Sequence, residues 1–148
     1  MKFLVQRVKK SLVKVDGKVV GKIDKGYNVL IGISKDDDYK TADKMVRKLV
    51  NLRIFNDEND KMNLSIKDVD GEILAISQFT LCANLKDGNR PSFIDAGRPE
   101  MSKPMYEYIV QKLKDHVKNV ETGIFGADMK VEILNDGPVT IIIDSEKI

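Results

Sequence analysis

The sequence predicts an α+β fold: a mainly antiparallel β-sheet, expected to curl into a barrel-like shape, with two principal helices in one domain over residues 1–148. Apolar segments of strand length outnumber segments with helical spacing. Turn-forming residues separate two pairs of these segments, at Asp16-Gly17 and at Asn135–Pro138. No linker, repeat or low-complexity segment divides the chain, and its length suits one domain with a sizeable core.

Four strand segments are predicted within residues 3–33. Residues 3–8 alternate in a way that is typical of a half-buried strand. Residues 12–15 and 19–23 flank Asp16-Gly17, a pair that favours the left-handed backbone angles of a hairpin turn. Residues 27–33 are nearly all apolar, which indicates a strand buried on both faces.

Two segments carry the apolar spacing of a helix. The first spans residues 42–50 and follows Asp36 to Asp38, whose charge suits a helix N-terminus. The second is expected to begin near Ser102 as N-cap, with Pro104 tolerated in the first turn. Its predicted apolar positions are Met105, Ile109, Leu113 and Val117.

The remaining strands follow from two further apolar segments. Residues 73–81 indicate a second buried strand. Residues 131–134 and 139–143 flank Asn135–Pro138, which predicts a strand, a turn and a second strand.

Composition excludes several classes of protein. Apolar residues make up 42% and charged residues 32%, a mixture typical of globular rather than disordered chains. No apolar run approaches the roughly 18 residues of a membrane helix, and the N-terminus resembles no signal peptide.

A single cysteine, Cys82, excludes an internal disulfide, so we expect a cytoplasmic protein. One histidine and one cysteine argue against a protein-built zinc site, and we expect neither metal nor cofactor. The net charge of +2 is too small to indicate a nucleic-acid binder.

The predicted central strand ends in the segment Ser77-Gln78-Phe79-Thr80-Leu81, which contains three polar residues. Such residues bring hydrogen-bonding groups to the rim of the core, where binding clefts are common. They could equally satisfy neighbouring backbone groups or face solvent.

A second polar segment, Asn135 to Thr140, admits two interpretations. Asn, Asp, Gly and Pro are ordinary turn residues, so the segment could be a plain hairpin turn. Alternatively, a rigid Gly137-Pro138 backbone, in cis or trans, presents its carbonyl groups to a ligand.

The usual catalytic side-chain sets are missing. His116 lies in sequence far from every candidate nucleophile and is expected to pack or face solvent. Cys82 has no motif that would activate its thiol. The segment Gly123 to Gly126 is too short for a phosphate-binding loop. A general base is therefore not evident among the side chains.

Both polar segments resemble the two signature motifs of the D-aminoacyl-tRNA deacylases. Further blocks resemble this family in order and spacing. They are Val5-Gln6-Arg7-Val8, Val15 to Gly21, Leu52-Arg53-Ile54-Phe55, Lys61 to Ser65, Arg90-Pro91-Ser92-Phe93 and Phe125-Gly126-Ala127-Asp128-Met129. Lys86 to Arg90 and Asp95 to Pro99 depart from the usual family pattern.

The resemblance implies a homodimer with active sites at the subunit interface and aminoacyl-tRNA as substrate. Gly137 and Pro138, joined by a cis bond, would enter the partner's pocket and present their carbonyl oxygens to the α-carbon of the aminoacyl group. An L-side chain would clash with this wall, a D-side chain would point away, and glycine would pass.

The resemblance also implies roles for further residues. Backbone N–H groups near Phe79 and Thr80 would stabilise the oxyanion, while Ser77 and Gln78 would hold the terminal adenosine or the loop. Phe125 and Met129 would line the adenosine pocket, or else simply pack in the core, and Arg7 would brace the Gly-Pro loop. These last three residues are expected to be binding rather than catalytic groups.

Two alternatives stay open at the level of sequence. The terminal ribose 2′-hydroxyl could activate water, or Thr80 could act as a nucleophile. A non-catalytic tRNA-binding module would keep the fold and the pocket without turnover.

Overall fold

The computed structural model describes residues 1–148 and contains eight strands and two principal helices. The strands are β1 (Lys2–Val15), β2 (Lys18–Ile23), β3 (Gly26–Gly32), β4 (Phe55–Asn56), β5 (Met62–Leu64), β6 (Glu72–Ser77), β7 (Val120–Thr122) and β8 (Lys130–Asp144). The helices are α1 (Tyr39–Val50) and α2 (Pro99–Lys114), with short 3-10 helices at Phe79–Cys82 and Ser145–Lys147.

The long strand β1 organises the main sheet. It pairs antiparallel with β2, β3 and β8. The sheet continues from β3 through parallel pairing with β6 and then β7, in the order β2-β1-β3-β6-β7. A Cβ placed on Gly21 of β2 would lie 2.5 Å from the carbonyl oxygen of Thr122 in β7, so the two ends of this path meet. The predicted mainly antiparallel, barrel-like sheet with two helices is confirmed.

The apolar core lies on both faces of this sheet. On one face, α1 and α2 cover alternate residues of the strands, including Val29 of β3 and Ile73 of β6. On the other, Leu74 and Ile76 of β6 pack with Ile23 inside the curled sheet. Strand β3 is buried on both faces, as predicted.

The first helix agrees with its prediction. Its buried residues are Ala42, Met45, Val46, Leu49 and Val50. Asp38 is the N-cap, because its carboxylate accepts a hydrogen bond from the Thr41 N–H at 2.8 Å.

The second helix begins one turn earlier than predicted. Arg98 is the N-cap and Pro99 the first helical residue, whereas Ser102 lies buried within the first turns and Pro104 lies inside the helix. Proline at the first helical position is favoured because its fixed φ suits the helix and its missing N–H has no partner to lose there. It also holds the preceding Arg98 in an extended conformation, with φ −65° and ψ 151°.

The prediction of strand, turn and strand at residues 131–143 is wrong. Strand β8 runs in one direction along β1, with Asn135 opposite Val8 and Thr140 opposite Gln6. Arg7 alone therefore faces residues 136–139, which bulge out of the strand. The chain does not reverse because both flanks of the bulge pair with the same strand in the same sense. We call residues 135–140 the Gly-Pro loop.

The strand predicted over residues 73–81 ends earlier, at Ser77. The Gln78 N–H still donates to the Ile31 carbonyl at 2.8 Å, and the chain then turns into the 3-10 helix. No helix in the structure has both the length and the apolar character needed to cross a membrane.

Candidate functional site

A cavity of about 600 Å³ opens where β3 and β6 end. Its walls come from these strand ends, the start of α2 and the segment that precedes β8. The lining residues are Ile31, Ile33, Ile76, Ser77, Gln78, Phe79, Phe93, Ala96, Gly97, Arg98, Pro99, Ser102, Phe125, Gly126, Ala127, Asp128, Met129 and Val131. A cavity of this size, mainly apolar with few polar groups, is typical of a small-molecule site.

The first signature segment supplies one wall of the cavity. Ser77, Gln78 and Phe79 line it, because the chain leaves the sheet at Ser77. Thr80 is exposed and does not line the cavity. The Gln78 side-chain amide donates to the Thr80 hydroxyl oxygen at 2.6 Å. An amide cannot take up a proton near neutral pH, so Gln78 does not make Thr80 a nucleophile.

Phe125 and Met129 form the opposite wall. The Phe125 ring packs against Tyr106 with 5.9 Å between ring centroids. Met129 lies close to the backbone of Gly123, where an added Cβ would lie 2.4 Å from the Met129 sulfur. Both side chains are half-buried, so they serve core packing and cavity lining together.

Tyr106 holds this region to the sheet. Its hydroxyl donates to the Ala75 carbonyl of β6 at 2.9 Å. Burial raises the pKa of the Tyr106 phenol, so it stays protonated and acts as a hydrogen-bond donor.

The Gly-Pro loop and Arg7 form a second constellation. The Gly137–Pro138 bond is cis, and Gly137 has φ +121°, a region that favours glycine. Arg7 is buried, and its Nε donates to the Asp136 carbonyl at 3.2 Å. Its Nη1 donates to the Ile54 carbonyl at 2.8 Å and to Asn56 Oδ1 at 3.0 Å. The guanidinium therefore ties the loop to β4 and to the residue that precedes it.

The loop is also closed by its own side chains. Asn135 Nδ2 donates to the Thr140 hydroxyl at 2.9 Å, and Asn135 Oδ1 accepts from the Val139 N–H at 3.3 Å. Gly137 and Pro138 remain exposed at the outside of the loop.

The two constellations do not meet within one chain. The lining contains no residue before Ile31 and none after Val131, so Arg7, Gly137 and Pro138 lie outside the cavity. The structure thus gathers Ser77, Gln78 and Phe79 with Phe125 and Met129, and leaves the loop apart.

His116 and Cys82 lie outside the cavity lining as well. His116 is exposed and lies after Lys114, where α2 ends, although the predicted apolar positions of that helix extended to Val117. Cys82 is buried, with its sulfur 3.6 Å from the Ser34 hydroxyl.

Sequence reasoning missed part of the lining, notably Phe93, Arg98 and Ser102. An aromatic residue in an otherwise polar segment was a signal for Phe93. The Ser102 hydroxyl has no hydrogen-bond partner within the chain, although it is buried. Its cap-like sequence context had concealed its place at the cavity.

Comparison with known proteins identifies the family. Residues 4–144 match the family described as D-Tyr-tRNA(Tyr) deacylase. The chain is 58% identical over 145 residues to the "D-aminoacyl-tRNA deacylase" of Sulfurihydrogenibium sp. (strain YO3AOP1), covering 98% of both chains. It is 56% identical over 147 residues to the protein of the same name from Clostridium novyi (strain NT), covering 99% of both.

Two solved structures have the same fold. One, a protein called "c-Myc DNA Unwinding Element Binding Protein", is 41% identical with a TM-score of 0.93, over 97% of this chain and 98% of that one. The other, described as a probable eukaryotic D-amino acid tRNA deacylase, has a TM-score of 0.82 over 96% of this chain and 97% of that one. At 16% identity, this second likeness concerns the fold alone.

The cavity wall at Ser77 to Phe79, the facing wall at Phe125 to Met129 and the match over residues 4–144 lead to one conclusion. This chain belongs to the D-Tyr-tRNA(Tyr) deacylase family.

Proposed function

We propose that this protein hydrolyses the ester bond of D-aminoacyl-tRNA and releases the free D-amino acid and tRNA. The observation that carries the proposal is the cavity, whose two main walls are the segments that resemble the family's site, Ser77 to Phe79 and Phe125 to Met129. The two curated relatives, both named D-aminoacyl-tRNA deacylase, match the chain over nearly its full length.

The terminal adenosine of the tRNA occupies this cavity. Phe125 and Met129 supply apolar surface for the base, while Ser77 and Gln78 supply hydrogen-bonding groups at the strand end. Aromatic and apolar side chains commonly hold unpaired RNA bases in this way.

Chirality is read by the Gly-Pro loop of a second subunit. Gly137 and Pro138 are exposed and absent from the cavity of their own chain, so a partner's cavity is the place where they can act. The loop is braced by hydrogen bonds that Arg7 and Asn135 donate and by one that Asn135 accepts from the Val139 N–H, as a rejecting wall requires. An L-side chain would clash with this wall, while D-amino acids and glycine would be accepted.

Strand β8 offers the surface for this homodimer. Apart from its bulge at residues 136–139, this strand pairs with β1 along one edge, and no strand of the chain pairs with the other edge. Leu134 and Ile142 on the same strand are 50% and 65% exposed. An unpaired edge with exposed apolar side chains is suited to pairing with another chain.

Hydrolysis proceeds with assistance from the RNA. The terminal ribose 2′-hydroxyl orients the attacking water by hydrogen bonding and relays the proton that the water loses as it adds to the ester carbonyl. Backbone N–H groups of Phe79 and Thr80 stabilise the oxyanion; as the first residues of a 3-10 helix, they have no partner within it. The carbon–oxygen bond to the ribose then breaks, and the proton passes to the ribose oxygen.

Replacement of Thr80 by alanine distinguishes this route from a Thr80 nucleophile. We expect Thr80→Ala to keep hydrolysis of D-tyrosyl-tRNA within about tenfold, a loss of no more than about 1.4 kcal/mol of transition-state stabilisation. The measurement is single-turnover hydrolysis with a search for an acyl-enzyme. Complete loss of activity together with loss of an acyl-enzyme would favour the nucleophile.

Hydrolysis of D-tyrosyl-tRNA and L-tyrosyl-tRNA, measured side by side at equal enzyme concentration, tests the proposed function. We expect release from the D-ester alone. Release from both would leave an esterase without chiral selection. Release from neither, with binding retained, would favour a non-catalytic nucleic-acid-binding module. That alternative is worth testing because the solved structure at 41% identity is called a DNA-binding protein.

A further inference from the structure

Two aromatic side chains stand exposed at the mouth of the cavity. Phe79 is 54% exposed and Phe93 is 37% exposed, and both line the cavity. Their rings meet edge to face, with 5.0 Å between centroids and 69° between planes. We call Phe79 and Phe93 the aromatic pair.

The backbone under the aromatic pair is fixed on both sides. Before Phe93, Asn84 and Ser92 exchange two backbone hydrogen bonds of 2.8 and 2.9 Å. After it, the Gly97 N–H donates to the Ile33 carbonyl at 2.9 Å, and the Lys35 N–H donates to the Asp95 carbonyl at 3.0 Å. The Phe93 ring is therefore presented from an anchored segment rather than from a loose loop.

This exposure has no explanation in the packing of the chain. Large aromatic side chains are usually buried, and an exposed apolar surface beside a cavity marks a binding site. The pair is continuous with the cavity, so its occupant is a part of the ligand that extends out of the mouth.

The charges at the mouth allow an RNA backbone to pass. Arg98 lines the cavity, is exposed and forms no ion pair. The one carboxylate in the lining, Asp128, is paired with Lys130 at 2.8 Å. Phosphate entering beside α2 therefore meets an unpaired guanidinium, and the carboxylate in the lining has an ammonium group beside it.

We propose that the aromatic pair is a stacking platform for the penultimate base of the RNA end whose terminal adenosine enters the cavity. This inference rests on the proposed function. Unpaired bases stack on aromatic side chains whatever their sequence, since every base has a π-face. The platform increases the affinity for the nucleic acid without contacting the aminoacyl group. It therefore contributes to recognition of tRNA and does not distinguish D- from L-amino acids.

Two synthetic esters test the platform. One is D-tyrosyl adenosine, and the other is the same ester on the dinucleotide cytidylyl-adenosine, which adds only the penultimate nucleotide. For the unmodified protein we expect kcat/KM to be about tenfold higher with the dinucleotide. Phe93→Ala should bring that ratio close to one, while Phe93→Tyr should preserve it.

Ile94→Ala is the matched control. Ile94 is the next residue, is 74% exposed and does not line the cavity, so its removal should leave the ratio unchanged. A ratio near one in the unmodified protein, with both esters hydrolysed, would overturn the platform and leave the proposed function intact. An equal fall for both esters in Phe93→Ala would also overturn it.

Two further outcomes count against the platform. If Phe93→Ala dissociated the protein into monomers in sedimentation experiments, the pair would belong to a subunit interface instead. If the unmodified protein hydrolysed neither ester nor D-tyrosyl-tRNA, the proposed function would fail and the platform with it.

Discussion

Gly137 is the residue at which backbone geometry and the proposed chiral wall coincide. Its φ of +121° strains any residue with a side chain, and an added Cβ would lie 2.9 Å from both Arg7 Nη2 and Val139 Cγ2. We expect Gly137→Ala to push the loop away from Arg7 and to lower kcat/KM for D-tyrosyl-tRNA at least about tenfold, or about 1.4 kcal/mol. Steady-state kinetics with the D- and L-esters measures this and any loss of discrimination.

Gly88→Ala is the control for that substitution. Gly88 has a similar φ of +128°, but no atom lies within 4 Å of its added Cβ. The control thus carries the backbone strain without the contact with Arg7. Equal loss of activity in both variants would contradict the role of the loop contact.

Among single residues, the sequence indicated residues of the cavity wall better than it indicated the contacts between distant residues. The resemblance pointed to Ser77, Gln78 and Phe79, which line the cavity. The resemblance did not reveal that Arg7 donates hydrogen bonds to Ile54 and Asn56. The partners of these bonds are separated by 47 and 49 positions in the sequence. Contacts of that kind depend on how strands and loops are placed, which local patterns do not specify.

At the scale of elements, the two errors at α2 and β8 share a cause. Ser102 has the residue type of an N-cap, yet Pro99 begins the helix earlier. The Gly-Pro loop has the composition of a hairpin turn, yet the chain continues along β1. Several local signals fit each segment, and pairing or packing with distant residues decides among them. Helix α1 was predicted well because its apolar spacing and its Asp38 cap agree.

The hydroxyl of Tyr106 joins one helix to the strand that carries the site. We expect Tyr106→Phe to lower the free energy of unfolding by about 1 kcal/mol, since it removes the hydrogen bond to the Ala75 carbonyl in a buried position. Urea denaturation measures the change. Tyr108→Phe is the control, because its hydroxyl bonds to Asp43 at the exposed surface and should matter less.

Tyr106 should also make the folding stability of the protein decrease at high pH. Burial raises the pKa of Tyr106 in the folded state, so its neutral form is the favoured one there. Above about pH 10 the unfolded chain loses this proton first, and stability should fall as pH rises. The free energy of unfolding of Tyr106→Phe should fall less steeply with pH over that range. An identical slope in the variant and the unmodified protein would contradict the assignment to Tyr106.

At the scale of the whole molecule, one chain contains both halves of the proposed site but does not bring them together. The cavity contains no residue of the Gly-Pro loop, and β8 carries that loop beside an unpaired edge. Barrel-like closure was expected from sequence, and the family resemblance implied that the loop acts in a partner's pocket, whereas residue patterns alone did not indicate that loop and cavity lie apart in one chain. A second subunit related by two-fold symmetry would supply each cavity with the other chain's loop.

Mixing two defective variants tests this arrangement. Gly137→Ala damages the loop, and Ala127→Trp fills the cavity, where Ala127 is a lining residue. If loops act across the interface, unfolding and refolding the mixture forms mixed dimers with one intact site, and recovers about a quarter of the unmodified activity from random pairing. If each loop serves its own chain, every site keeps one defect and no activity returns. In the reference sample, the two variants are refolded separately and mixed afterwards. Both samples then contain the same amounts of both variants, so a difference in activity reports where the loop acts rather than how well either variant folds.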